Sequence, residues 1–307
     1  RPSAGWGPRA SFEPEELARA FDRIHRAGIV DGLFLSSGVC HGADRTQDRM
    51  IATVELIRQR YDFTGYVHLK ILPGASEAHI ERAVQLAQRV SVNLEAPNPE
   101  RLAVIAPHKD YFLELVEPMR IAKRYMDESA GRLAPAGQTT QFVVGAAGEP
   151  DREILSTSAH LYRELGLSRA YYLAFNPVPG TPLDGLPRTP QWREHRLYQA
   201  DWLLRFYDFT YDDLAFDPEG NLFRQVDPKL MHARSHPERF PVEVNRASRQ
   251  ELLRVPGLGP RSVARILAWR RQGSLRDLEH LKKAGGVAER AAPYILLDGK
   301  RPPHQLT

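Results

Sequence analysis

Cysteine is almost absent from this chain: Cys40 stands alone among 307 residues. A single thiol excludes an internal disulfide framework and suits a reducing, cytoplasmic setting. Long apolar runs are missing too. No segment approaches the roughly 20 residues that a membrane-spanning helix needs, and no signal peptide is visible, so no membrane partner is expected. A phosphate-cradling P-loop is lacking, because Gly145-Ala146-Ala147-Gly148 has neither the lysine nor the hydroxyl that would complete one. His41, His68, His108 and His160 fall in neither an H-x3-H nor an H-E-x2-H pattern, and no metal ligand set is expected within the chain. Asp44 and Asp48 lie one helical turn apart, as pairs on solvated helices often do. What remains is an apolar content of 42%, enough for a substantial core, on a chain long enough for two domains.

The most informative tract is 252–267, LLRVPGLGPRSVARIL. A short helix ends at Val255-Pro256, a tight turn is built on Gly257-Leu258-Gly259, and Pro260 opens a second, basic helix. Glycines two apart let the backbone turn without a Cβ clash and bring N–H groups to the surface. Beside them lies a helix N-terminus, where unpaired donors and the helix dipole favour a phosphate. Pro256, Gly257, Leu258, Gly259, Arg261, Ser262 and Arg265 thus form the pattern of a helix-hairpin-helix, which reads nucleic-acid backbone without reading bases. The plainer alternative is a helical turn with a glycine cap. Against it stand the flanking apolar residues and the two arginines one turn apart.

Ser248 or Asn245 is expected to cap the first helix. Beyond the second, 274–278 begins another amphipathic helix, followed by Lys282-Lys283-Ala284-Gly285-Gly286-Val287 and a further helix through Ile295. This is a degenerate repeat with Gly285 and Gly286 in the hairpin position, and Lys282 adds charge. Two such units can bury their apolar faces against each other, making a small all-α tandem domain over 241–300. Charge separates the chain at the same place. Residues 241–307 carry 13 Lys and Arg against 6 Asp and Glu, whereas the preceding 240 carry 29 against 32. A basic tail on a slightly acidic body calls for a polyanionic partner of the tail only.

Over 12–208, helical and strand periodicities alternate. Helices are expected near 14–27, 47–60, 77–88, 111–128, 152–164 and 191–207, with strands at 30–36, 66–72, 90–95, 140–145 and 170–176. This alternation argues a parallel sheet with helical cover. The class is α/β: a partial β/α barrel lacking its first strand, with a doubly wound sheet as the rival. The barrel is expected over 1–215, an irregular, proline-bearing linker over 216–240, and a short tail over 301–307. His232, Arg234, His236 and Arg239 lie in that linker, which either follows the barrel mouth or merely connects the domains. Chemistry in such barrels gathers at the C-terminal strand ends, and here all five ends are polar or rich in glycine.

The tracts GLFLSSG, YVHLKILPGAS, SVNLEAPN, TQFVVGAAGEPDREIL and YYLAFNPVPGTPL resemble the radical S-adenosylmethionine superfamily. More closely, the chain resembles the DNA modification or repair branch, in which such a barrel carries C-terminal helix-hairpin-helix units. The resemblance covers about 1–300, with the tracts in the expected order. It implies S-adenosylmethionine and a 4Fe–4S cluster as cofactors, and an electron donor as partner. One electron would cleave the sulfonium to release a 5′-deoxyadenosyl radical, the cofactor supplying the difficult chemistry. It also implies non-sequence-specific contact with DNA and a neighbouring repair protein of the uracil-DNA-glycosylase kind.

Residue by residue, Ser36, Ser37 and Gly38 match the strand end that contacts the methionine amino group, with serines where the family carries a carboxylate. Asn93 and Glu95 match positions reaching the ribose or the sulfonium end. Val144, Gly145 and Ala146 match the backbone against adenine, while Asn176 and Pro177 sit where the next strand approaches adenine or substrate. Lys70 either pairs with the ligand carboxylate or is a plain solvated lysine. The family's cluster needs C-x3-C-x2-C, three thiolates on three irons; Cys40 lies outside that loop. The first strand and its cysteine loop are therefore expected immediately before Arg1, residues 1–11 resembling the basic segment that follows the loop. A DNA-binding adaptor without a cluster is the alternative, and a metal-dependent nuclease a third.

Overall fold

The computed structural model describes residues 11–39 and 42–303. Cys40, His41 and nearly all of the 1–11 segment fall outside them. The chain divides into two compact units, one running to Glu149 and from His160 to Pro190, the other from Pro150 to Ala159 and from Gln191 onward.

In the N-terminal unit, helix α1 (Pro14–Arg26) precedes strand β1 (Gly32–Leu35), and the alternation continues. Helix α2 (Ala43–Gln59) leads to β2 (Tyr66–Lys70), α3 (Glu77–Leu86) to β3 (Arg89–Ser91), and α4 (Pro99–Ile105) with α5 (Glu117–Glu128) to β4 (Gln138–Val144). Helix α6 (Asp151–Leu165), shared between the units, leads to β5 (Arg169–Ala174). Sequence supplies the helix starts. Pro14 occupies the first turn of α1 behind a Glu13–Glu16 capping box, and Ser76 and Asn98 cap α3 and α4. The helix at 99–105 escapes the periodicity because seven residues present too few turns to repeat a pattern. The expected helix over 111–128 begins instead as a π-helical stretch, Tyr111–Val116, before α5.

All five strands are parallel and paired in the order of the sequence, forming a curled half-barrel. A doubly wound sheet would reverse its strand order at a switch point; this one does not. The helix-covered face buries Leu35, Leu69, Val90, Phe142 and Tyr172. Its opposite face is only partly filled: Phe34, 61% exposed, packs on its register partner His68 with the rings tilted by 42°, and Leu173 is half exposed. Buried polar groups tie helices to strands. Gln47 accepts from Leu72 N–H at 2.9 Å and donates to Lys70 O at 3.3 Å, closing the end of β2. The Asp44–Asp48 pair is not merely solvated: both carboxylates meet the His79 ring, at 3.5 and 2.8 Å, locking α2 to α3.

The C-terminal unit holds α7 (Gln191–Phe206), α8 (Pro228–Ser235), β6 (Val242–Glu243), α9 (Arg249–Arg254), α10 (Pro260–Trp269), α11 (Leu278–Lys283), α12 (Ala288–Ala291) and β7 (Ile295–Leu296). Helix α8 lies inside the tract expected to be an irregular linker. Asp227 caps it by accepting from Leu230 N–H at 3.0 Å, with Pro228 in the first turn. One core, including Leu252, Leu253, Leu258, Val263, Ile266 and Leu281, joins α9 through α12. Parallel pairing of Val242 with Ile295 and Glu243 with Leu296 ties the two ends of this helical module together.

Candidate nucleic-acid interface

Helix α9 begins with a capping box: Ser248 Oγ accepts from Glu251 N–H at 3.2 Å, and Glu251 accepts from Ser248 N–H at 2.7 Å. Asn245, the other candidate cap, instead bonds both ways with the Leu275 backbone, at 2.9 and 2.8 Å, joining the two repeats. After Val255 the chain turns through buried Pro256 and Gly257, whose φ of +85° lies in the left-handed region that glycine occupies without strain.

Leu258 N–H donates to Val255 O at 3.1 Å. Ser262 Oγ accepts from Gly259 N–H at 2.8 Å and donates back to Gly259 O at 2.9 Å. The turn therefore uses two of its own amides. The Gly257 amide makes no hydrogen bond among the described residues. Pro260 has no N–H, and the Arg261 and Ser262 amides lie in the first turn of α10, ahead of any intrahelical acceptor. The Arg261 and Ser262 amides belong to the positive end of a ten-residue helix, an end that favours a phosphate.

The second hairpin packs directly on the first. Val287 N–H donates to Gly257 O at 2.9 Å, and a Cβ on Gly257 would meet Val287 O at 2.5 Å. A Cβ on Gly286 would meet the Leu258 side chain at 2.8 Å and Leu281 O at 3.2 Å. Gly257 is thus a glycine because the backbone of the second hairpin touches it, and Gly286 because the Leu258 side chain packs against it. Gly285, at φ +84°, turns the second hairpin and lies under Arg265, whose guanidinium stands 3.3 Å from the point a Cβ would occupy. Arg261 and Arg265 are exposed and make no ion pair among the described residues. Lys282 differs, being bound to Glu279 at 3.1 Å and Glu289 at 3.3 Å.

Sequence reasoning missed Lys229. Its buried ammonium donates to Leu258 O and lies 4.7 Å over the Tyr207 ring. Burial pushes its pKa down to about 7, with nearby Asp227 acting in the opposite direction. Lys229 thereby orients the carbonyl at the centre of the hairpin turn. The available signal was the Asp227-Pro228 pair, a helix start that puts Lys229 in its first turn. His232 and His236 stand in H-x3-H spacing with ring centroids 4.6 Å apart. The His232 ring is buried against Phe209, its Nδ1 lies 2.8 Å from Asp213 O, and burial lowers its pKa. No cluster of three His, Cys, Asp or Glu able to hold a metal occurs among the described residues.

In the N-terminal unit, the five parallel strands carry the other sequence-derived residues to one rim. Ser36, Ser37 and Gly38 follow β1 and are exposed, Ser37 Oγ donating to Gly38 O at 2.8 Å. Lys70 ends β2 half-buried. Asn93 Nδ2 donates to Glu95 Oε1 at 3.4 Å. Glu95 sits at φ +64°, its backbone bonding to Gln141 and Val143 at 2.8 Å each, while its Oε2 is buried without a hydrogen-bond partner. Val144 ends β4, its carbonyl accepting from Thr189 Oγ1 at 2.8 Å and Phe175 N–H at 2.9 Å.

Gly145, at φ +90°, and Ala147 donate their N–H groups to buried Glu149, a residue sequence reasoning also overlooked. Ala146 is buried in that turn, and Asn176 and Pro177 follow β5, with Asn176 exposed. On the open sheet face His68 Nε2, Arg89 Nε and Thr139 Oγ1 are buried without hydrogen-bond partners. Burial, then the charge of Arg89, lowers the His68 pKa to about 4.

Among known families, residues 239–293 match the helix-hairpin-helix motif. The matched segment runs from just before β6 through α12, so it covers both hairpins and supports DNA binding. No curated protein matches the chain. Among the described residues no helix is long and apolar enough to cross a membrane.

Proposed function

We propose that the C-terminal unit binds DNA through its backbone, without reading sequence, and that it carries the N-terminal half-barrel to DNA. The observation that supports this best is the glycine turn running into the first turn of α10, where the Gly257 amide is unbonded and the Arg261 and Ser262 amides precede any intrahelical acceptor, flanked by two exposed arginines that pair with no carboxylate among the described residues. Backbone binding of this kind has a Kd on the order of 10⁻⁴ to 10⁻⁶ M at physiological salt and loses affinity linearly in log salt. Titration onto duplexes of unrelated sequence is expected to return one affinity and one salt slope. A strong preference among fully paired sequences, or no salt dependence, would overturn the reading.

For the half-barrel the proposal is that its rim holds S-adenosylmethionine. Support comes from polar atoms that lack partners: Glu95 Oε2 at the rim and His68 Nε2 and Arg89 Nε on the open face. Glu95 and Asn93 would receive the ribose or sulfonium end, and Ser36 to Gly38 with Lys70 the amino acid end. Asn176 would border the adenine beside the Val144-Gly145-Ala146 turn. The cofactor would supply an activated sulfonium. A 4Fe–4S cluster does not fit the residues present, since one cysteine cannot provide three thiolates. Calorimetry with S-adenosylmethionine is expected to detect binding that Glu95→Gln weakens by about tenfold, the scale of a charged hydrogen bond. Absence of binding would favour a DNA-binding adaptor.

A further inference from the structure

Wholly within the C-terminal unit, a cavity of about 480 Å³ opens beside the hairpin. One wall is a face of α7 carrying His195, Gln199 and Trp202, at i, i+4 and i+7, with Tyr207 just beyond the helix end. Lys229, Arg290 and the Gly257-Leu258-Gly259 turn are among the residues that line the rest. Its volume lies within the range of roughly 300–1,000 Å³ that small-ligand sites occupy.

Three features identify the occupant. Trp202 is 52% exposed, and its ring is braced by Phe206 at 4.9 Å, so a large aromatic face is held ready without serving the core. Tyr207 Oη stands 3.3 Å from where a Cβ on Gly259 would be, so the hairpin turn is itself a wall of the cavity. An occupant therefore lies next to any phosphate held at the first turn of α10. The polar lining, Gln199 with His195 at 3.0 Å and Arg290 paired with Asp227, offers donors and acceptors to a planar edge. A flat heterocycle attached to a phosphate meets all three conditions.

We infer that this cavity takes one unstacked base from the DNA strand whose phosphate the hairpin holds, giving the C-terminal unit a preference for DNA with an unpaired nucleotide. This rests on the hairpin reading above. Stacking on an aromatic face is tolerant of base identity, so the preference is for structure and not for sequence. Unpairing costs least where a base is already without a partner.

The test compares, at one salt concentration, a labelled duplex with the same duplex bearing a one-nucleotide bulge. Wild-type protein is expected to bind the bulged duplex about tenfold more tightly, within the range that stacking one base contributes. Trp202→Ala should bring the ratio near one and Trp202→Phe should keep most of it. Arg261→Ala should weaken both duplexes by a common factor. Equal binding of the two duplexes by the wild type, or a ratio untouched by Trp202→Ala, overturns the cavity while leaving the hairpin reading standing. Failure to bind either duplex overturns both.

Discussion

Gly257→Ala is expected to break the contact between the two hairpins and unfold the helical module locally. Two penalties coincide at this position. A φ of +85° is strained for any residue with a Cβ, and that Cβ would lie 2.5 Å from Val287 O, a backbone atom of the second hairpin that has no side-chain freedom with which to move away. Relief requires separating the hairpins, losing the Val287 N–H to Gly257 O bond and opening the core around Leu258. Together these cost about 3–5 kcal/mol, at the upper end for a single substitution. Amide exchange should show protection lost across 242–297 and retained in β1 to β5. Gly273→Ala is the control, since nothing lies within 4 Å of a Cβ there, and its effect should stay within about 0.5 kcal/mol. Unchanged protection in Gly257→Ala would mean that the two hairpins do not pack backbone to backbone at this glycine.

The second large effect concerns binding. Arg261→Ala combined with Arg265→Ala removes two exposed guanidiniums that have no competing carboxylate among the described residues. Each phosphate left without its arginine should lower the slope of log affinity against log salt by about 0.9, so the double variant should fall by roughly 2. The same arithmetic gives a loss on the order of ten- to a hundredfold near 0.1 M salt, similar for every duplex sequence. Lys282→Ala should do far less, because Glu279 and Glu289 already hold that ammonium. An unaltered slope in the double variant would remove the arginines from the interface. Stability should hardly change, both side chains being solvated.

Some of this architecture was legible residue by residue. The first hairpin is announced by Pro256, Gly257 and Pro260 because each acts on its own backbone: one ends a helix, one supplies a positive φ, one opens the next helix. The strands of the half-barrel are visible because a parallel strand covered by helices is apolar over a short run. Sequence pattern alone could not choose between a doubly wound sheet and a curled one. Strand order depends on how distant segments pack, and periodicity says nothing of it.

The legible and the illegible divide most sharply at the site. That Gly257 turns the chain follows from the sequence; that it must also admit Val287, thirty residues on, does not. Lys282 reads as a free cation until Glu289 arrives from another helix. Lys229 reads as one more surface lysine, yet it is buried against a carbonyl twenty-nine residues away. Local backbone chemistry, capping and turn formation are properties of a few consecutive residues, and the sequence by itself determined them here: two hairpins, a basic tail, five strands among helices. Tertiary structure alone decided which charges stay unpaired, which amides remain available, and that Trp202 and Tyr207 border a cavity shared with the hairpin turn. Each of those depends on surfaces that meet only when segments far apart in the chain fold together.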